Sequence, residues 1–301
     1  MSYGSILELI GKTPLVELSR LSCKLQLNIK LYGKVEAFNP SGSSKDRAAY
    51  NMLLCAMQQG KLQKGSTVIT ATSGNTGVAL AMACAVMGIS LIVTMPENMS
   101  AERIKLLKAY GASVVLTSAA EGMTGAVERA NELSKQLSNS IILDQFTDMA
   151  NPKAHEETTA REIIADLGYP DAFIAAIGTG GTISGTGKVL KEGGTRIIGV
   201  EPLESPLLTK GQAGSHGIMG IGANFVPATL NLNVIDEILT VSTEQAKNTM
   251  LLLARTEGIF CGISSGAAVA AAVELSKRAE FREKTVVALL PDTGERYLST
   301  L

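Results

Sequence analysis

Short apolar runs rich in valine, isoleucine and leucine alternate along this chain with stretches of helical periodicity. Residues 66–70 (STVIT) have the length and β-branched content of a buried strand, and after a loop the pattern predicts a helix over 78–87 closed by Gly88. Residues 89–95 (ISLIVTM) predict a strand ended by Pro96, and Ser100 is placed to cap a helix over 101–110 closed by Gly111. A strand over 112–116, a helix over 124–137 and a short strand over 141–143 follow. The rhythm resumes after Asn151-Pro152, with a helix over 155–167, a strand over 172–177, a glycine loop with a helix over 183–191, and a strand over 196–200. A strand over 238–241, helices over 243–257 and 265–278, and a strand over 284–290 complete the series. Residues 202–233, rich in glycine and proline, predict a long loop region.

Continuous apolar strands between helices imply parallel sheets covered on both faces, so the expected class is α/β. Right-handed crossovers place the loops after the strands on one rim, where such folds bind ligands. Two βα series predict two such units with a boundary near 145–152.

Composition narrows the function. The formal net charge is -1, from 27 basic and 28 acidic residues, so nothing points to nucleic acid or an anionic membrane. Aromatic content of 4% without tryptophan leaves little for base stacking. Cys23, Cys55, Cys84 and Cys261 form no C-x-x-C pair, which argues against a disulfide framework or zinc site, and His155 and His216 are too few for a multi-histidine metal centre. No metal is expected. The first residues lack a basic and apolar leader pattern and no uncharged run reaches the length of a membrane span, so a reduced cytoplasmic setting is expected.

The candidate chemistry lies in the loops. Asn39-Pro40-Ser41-Gly42-Ser43-Ser44-Lys45-Asp46-Arg47 delivers one lysine from a turn into a helix predicted over 46–59, with Gly60 after its end. A lysine held at such a junction and partly desolvated suits Schiff-base chemistry, although a lone loop lysine is most often a solvated charge. Gly178-Thr179-Gly180-Gly181-Thr182 follows a strand and opens a helix, so its backbone N–H groups and hydroxyls form a phosphate cup; the plainer alternative is a turn without a ligand. The spacing matches neither a Walker A loop nor G-x-G-x-x-G. Ala71-Thr72-Ser73-Gly74-Asn75-Thr76-Gly77 is a second strand-to-helix loop suited to a carboxylate, or else a simple cap using Ser73 or Asn75. Gly262-Ile263-Ser264-Ser265-Gly266 opens a third helix, with Ser264 as its plain cap. Gly220-Ile221-Gly222-Ala223-Asn224 reads as a mobile loop or a turn, and Asp292 to Tyr297 follows the last strand on the same rim. One lysine, a phosphate cup and a carboxylate cup, with no conventional base, suggest a phosphate-bearing aldehyde cofactor, pyridoxal 5′-phosphate.

Taken together, G-K-T-P-L-V from Gly11, the Asn39 to Arg47 run, A-T-S-G-N-T-G from Ala71, M-P-E-N-M-S from Met95, D-Q-F from Asp144, G-T-G-G-T from Gly178, G-I-S-S-G from Gly262 and D-T-G-E-R-Y from Asp292 resemble the fold-type II pyridoxal-phosphate enzymes. The resemblance is to the cysteine synthase (O-acetylserine sulfhydrylase) and cystathionine β-synthase branch and spans nearly the whole chain. It implies two three-layer αβα domains of the tryptophan synthase β type: a smaller, mobile substrate-side domain over 46–148 and a larger cofactor-phosphate domain from 1–45 plus 149–301. It implies Lys45 as the Schiff-base lysine and mover of the α-proton, Asn75 on the ring hydroxyl, Gly178, Thr179, Gly180, Gly181 and Thr182 on the phosphate, and Ser264 facing the pyridine nitrogen. Thr72, Ser73, Asn75, Thr76 and Gln145 would bind the substrate carboxylate, with Gly220 beside its amine.

The implied reaction is loss of acetate from O-acetyl-L-serine to leave an α-aminoacrylate, to which sulfide adds to give L-cysteine. A serine at the ring nitrogen makes a weaker electron sink than an aspartate, which favours elimination over transamination. A β-replacement enzyme using L-serine or L-cysteine, of the cystathionine, lanthionine or sulfide-producing type, stays open as an alternative, as does a non-catalytic binding relative. A dehydratase is disfavoured, because its substrate loop usually reads S-G-N-H-A and Thr76 follows Asn75 here. A homodimer is the family expectation, and the C-terminal tail of serine acetyltransferase is a further candidate partner. Ser41 stands where glycine is common, and Ser44 where an apolar residue often precedes the lysine. Residues 257–262 look more like the second bacterial isoform, whereas 220–225 and 292–297 look more like the first, so the isoform stays open.

Overall fold

The computed structural model describes residues 2–300, with side chains through Leu298. The chain forms two compact units, one from residues 2–10 and 45–151, the other from 11–44 and 152–300. Among the described residues ten strands run in chain order: β1 Leu15–Glu17, β2 Lys30–Val35, β3 Thr67–Ala71, β4 Ser90–Pro96, β5 Ser113–Thr117, β6 Ser140–Ile142, β7 Ala172–Ala176, β8 Arg196–Pro202, β9 Glu237–Val241 and β10 Thr285–Leu290.

The smaller unit holds a parallel sheet of order β5-β4-β3-β6. Successive side chains of β4 point to opposite faces. Val93 faces the helix Asn75–Met87, where a Cβ on Gly77 would lie 3.7 Å from it. Thr94 faces the helix Gly122–Gln136 and donates to the carbonyl of Ala126 at 2.7 Å. Three layers result. The helix Asn75–Met87 is buried on all sides from Thr76 to Cys84, as its nearly unbroken apolar sequence requires. Leu7 packs on this core, which draws residues 2–10 into the smaller unit, whereas the sequence reading places them in the larger one.

In the larger unit the strand order is β1-β2-β10-β7-β8-β9, with β1 antiparallel to β2 and every other pair parallel. Alternate residues of β7 and β10 serve two cores. Ala172, Ile174, Val286, Ala288 and Leu290 pack with Met250 and Leu253 of the helix Thr243–Glu257 and with Ala267, Ala271 and Leu275 of the helix Ile263–Ser276. Phe173, Ala175, Val287 and Leu289 pack with Ile163, Ile183 and Leu190 on the other face.

Strands β1 and β2 and the helix Ser19–Leu25 have no counterpart in the sequence reading. The β2 segment KLYGKV carries two lysines and a glycine, which mask it as a loop. Its Lys34 is nevertheless fully buried, with Nζ on the Thr13 carbonyl at 2.6 Å and on Glu162 at 2.9 Å. Gly33 is small because a Cβ there would lie 2.8 Å from a methyl of Leu290 on β10. The helix predicted over 155–167 continues an α-helical segment Ala150–Ala154 through a π turn His155–Thr159 into Ala160–Leu167. The long loop region includes the short helix Leu207–Lys210. No helix of the described residues is long and apolar enough to cross a membrane.

Candidate active site

Lys45 is the first residue of the helix Lys45–Gln58 and is half-buried. The turn before it is well tied: the Gly42 N–H donates to the Asn39 carbonyl at 2.7 Å, and the Ser44 N–H to the Pro291 carbonyl at 2.8 Å. Gly42 has φ +85°, a conformation open to glycine and strained for other residues. Ser41 and Ser44, the two departures from the usual motif, are buried, and Arg296 donates to the Ser41 carbonyl.

The 71–77 loop does not cap its helix through Ser73 or Asn75. Gly74 is the cap residue, Asn75 opens the helix, and the Thr72 hydroxyl instead accepts from the Gly74 N–H at 3.3 Å. The start of a helix carries positive partial charge and suits an anion. Thr76 donates its hydroxyl to the side-chain oxygen of Gln145, so two residues far apart in sequence form one polar surface. Gln145 is held through its carbonyl by the Asn151 amide at 2.8 Å. Arg103 donates to the Ser73 carbonyl at 2.5 Å; three residues after the Ser100 cap, it carries no local signal of that role.

The Gly178 to Thr182 loop ends β7 and opens the helix Gly181–Leu190. Gly180, the cap residue, has φ +81°, and a Cβ there would lie 2.6 Å from that of Leu230. A Cβ on Gly178 would collide with the Gly220 carbonyl. The loop is therefore packed bare against 220–230. The Thr179 hydroxyl accepts from the Gly181 N–H at 3.2 Å, and its carbonyl accepts from the Thr229 hydroxyl at 2.6 Å. Thr182 lies 3.2 Å from Nε2 of buried His155, whose Nδ1 is 2.8 Å from the Thr159 hydroxyl. The sequence reading leaves His155 without a role, because the residues are 27 positions apart.

Ser264 is buried in the first turn of the helix Ile263–Ser276, and Gly262 rather than Ser264 is the cap residue. Gly220 is exposed, with φ +88°. Tyr297 donates to the buried Asp292 carboxylate, and the Gly262 N–H donates to the Asp292 carbonyl at 3.0 Å, so the last turn braces the Ser264 helix. Burial pushes the Cys261 thiol up to about 12, so the thiol is protonated at neutral pH and a poor nucleophile.

A family profile described as "Pyridoxal-phosphate dependent enzyme" matches residues 6–292. The chain belongs to that family. It is 50% identical over 301 residues to cysteine synthase B of Campylobacter jejuni, with 99% of this chain and 98% of that protein covered. The crystal structure of a cysteine synthase from Entamoeba histolytica superposes with a TM-score of 0.96 at 41% identity, covering 100% of this chain and 90% of that one. An O-acetylserine-dependent cystathionine β-synthase from Helicobacter pylori gives a TM-score of 0.92 at 36% identity, covering 99% and 98%.

The residues present fit the family's cofactor. The glycines at 178 and 180, where a side chain would collide with the 220–230 backbone or Leu230, bare a backbone cradle at a helix N-terminus, and two threonine hydroxyls flank it. That donor set suits a phosphate dianion.

Proposed function

We propose that this pyridoxal-phosphate enzyme forms L-cysteine from O-acetyl-L-serine and sulfide. The observation that carries the reading is its similarity to a cysteine synthase over essentially the whole length of both proteins. When bound, pyridoxal 5′-phosphate supplies the electron sink that loosens the α-proton and β-substituent of an amino acid.

Gly178, Thr179, Gly180, Gly181 and Thr182 bind the phosphate through backbone N–H groups, the helix end and the hydroxyls. Lys45 holds the cofactor through its amine and takes the substrate's α-proton. The Asn75 amide would hydrogen-bond the hydroxyl on the cofactor's ring. Ser264 meets the ring nitrogen as a neutral hydroxyl and supplies no negative charge to keep a proton there, which favours loss of a β-leaving group. Thr72, Ser73, Asn75, Thr76 and Gln145 bind the substrate carboxylate, with Gly220 beside the amine. The exposed backbone at Gly220 and the αL residues around it suit a loop that adjusts to substrate. The working molecule is a cytoplasmic homodimer in this reading, and the carboxylate cup also accepts the C-terminus of serine acetyltransferase.

The test is a titration of the yellow holoenzyme with O-acetyl-L-serine in the absence of sulfide. The visible band shifts and acetate is released once per site; sulfide then restores the band and yields one L-cysteine per acetate. A band that ignores O-acetyl-L-serine but responds to L-serine or L-cysteine overturns the substrate assignment in favour of the other β-replacement chemistry. Light scattering of the eluting protein reads its oligomeric state, and a synthetic acetyltransferase tail reads the partner.

A further inference from the structure

The segment leading to Lys45 is held by a buried polar relay that begins 34 residues upstream, at Gly11. Glu36 and Asn39 are 0% and 3% exposed. The Asn39 amide is fully committed: Oδ1 accepts from the Gly11 N–H at 2.8 Å, and Nδ2 donates to the Glu36 carbonyl at 3.0 Å and to Glu36 Oε2 at 2.9 Å. Turning the amide over would set N–H against N–H at Gly11 and oxygen against two oxygens at Glu36. The other carboxylate oxygen of Glu36 is 2.6 Å from the Thr13 hydroxyl, and the Thr13 carbonyl takes the ammonium of buried Lys34 at 2.6 Å. Downstream, the Asn39 carbonyl accepts the Gly42 N–H, closing the turn that runs through Ser44 into Lys45.

We propose that Glu36 and Asn39 are positioning residues for Lys45, acting through the donor–acceptor polarity of their contact: the Glu36 carboxylate selects one orientation of the Asn39 amide, and that amide sets the backbone entering Lys45. This rests on the reading of Lys45 as the cofactor-binding amine.

Polarity, unlike mere bulk, can be exchanged between two residues. Asn39→Asp keeps an acceptor for the Gly11 N–H but turns an oxygen onto the Glu36 carboxylate and carbonyl in place of the two N–H donors, so the contact forms only by taking up a proton. Adding Glu36→Gln supplies that proton from the new amide, whose oxygen still accepts from Thr13.

The experiment measures the visible band of the lysine-bound cofactor and the rate of cofactor release into an excess of scavenging apo-protein. Wild type, Asn39→Asp, Glu36→Gln/Asn39→Asp and Lys45→Ala are compared, with kcat/KM beside them. Asn39→Asp speeds release by on the order of tenfold, the scale of a lost buried hydrogen bond, and the double variant restores most of it, a coupling between the two sites. Release from Asn39→Asp at the wild-type rate, or a double variant no better than Asn39→Asp, overturns the relay. A Lys45→Ala protein that keeps the wild-type band overturns the lysine assignment itself, a separate outcome. If Asn39→Asp does not fold, Asn39→Ser takes its place: it deletes the amide donor, speeds release, and is not rescued by Glu36→Gln. A wild-type rate for Asn39→Ser, or its rescue, overturns the proposal.

Discussion

At the scale of single residues, the chemistry assigned to Lys45 and to the 72–76 loop makes opposite kinetic demands. Lys45→Ala removes both the amine that holds the cofactor and the group that moves the proton. The variant loses its visible lysine-bound band, and kcat falls by about 10³-fold, within the range for a missing acid–base group; single-turnover spectroscopy checks both. Gln145→Ala leaves Lys45 intact and strips Thr76 of the partner that orients its hydroxyl. Its cofactor band stays as in the wild type while KM for O-acetyl-L-serine rises by roughly tenfold or more, the scale of a hydrogen bond to a charged group. Steady-state kinetics with the spectrum recorded on the same sample distinguishes the two variants. Lys45 and Thr76 are candidates on sequence alone because each sits in a dense local motif. Gln145 is named only through resemblance, and Arg103, His155 and Glu36 each have one partner set by a chain crossing of 23 to 30 residues, which no local pattern shows.

At the scale of elements, the glycines report how closely backbones approach. Gly185 lies in the middle of the helix Gly181–Leu190, where glycine is otherwise unfavourable. A Cβ there would run into the carbonyl of Pro152 and lie 3.0 Å from the Glu156 nitrogen, against the segment that carries the π turn. Gly185→Ala therefore costs about 1–3 kcal/mol by overpacking, against the usual gain for alanine in a helix; thermal unfolding shows a lowered Tm. The same argument applies to Gly178, where a methyl would meet the Gly220 carbonyl. Gly178→Ala weakens cofactor retention while folding survives, read as faster cofactor release. These close approaches explain why helix boundaries came from the sequence only to within a few residues: the helix at Asn75 begins three residues before its predicted start, because tertiary burial extends it past the local pattern.

At the scale of the whole molecule, both sheets follow from an alternation visible in the chain, and charge sets the pH response of the larger unit. Glu237 is held below the usual carboxylate range, first by hydrogen bonds from Arg278 at 2.8 and 2.9 Å, against partial burial, and further by the charges of Arg278 and Arg196. Partial burial raises Asp236 and Asp171, but the Ile197 N–H with Lys191, and the Thr285 N–H with Lys284, outweigh it and lower both. A carboxylate with a folded pKa below its unfolded value contributes stability that is complete above the unfolded pKa and lost as pH falls through the folded one. Urea midpoints are therefore flat from neutral pH to about 5 and fall below about pH 4, near the ordinary carboxylate values. Glu237→Gln makes that acid limb shallower. A midpoint that falls equally in Glu237→Gln would place the acid sensitivity elsewhere.

The sequence by itself determined the α/β class, the parallel strands, the glycine cup and the lysine at a helix start, because each is written in neighbouring residues as periodicity, turn chemistry or small side chains. Only the tertiary structure decided the β1–β2 pair, the burial of Lys34 and the joining of Thr76 to Gln145 and of Asn39 to Gly11. The physical reason is common to them all. A lysine or glutamate reads as a surface residue until a distant segment supplies its partners, and a glycine reads as a break until another backbone is seen to occupy the space its side chain would fill.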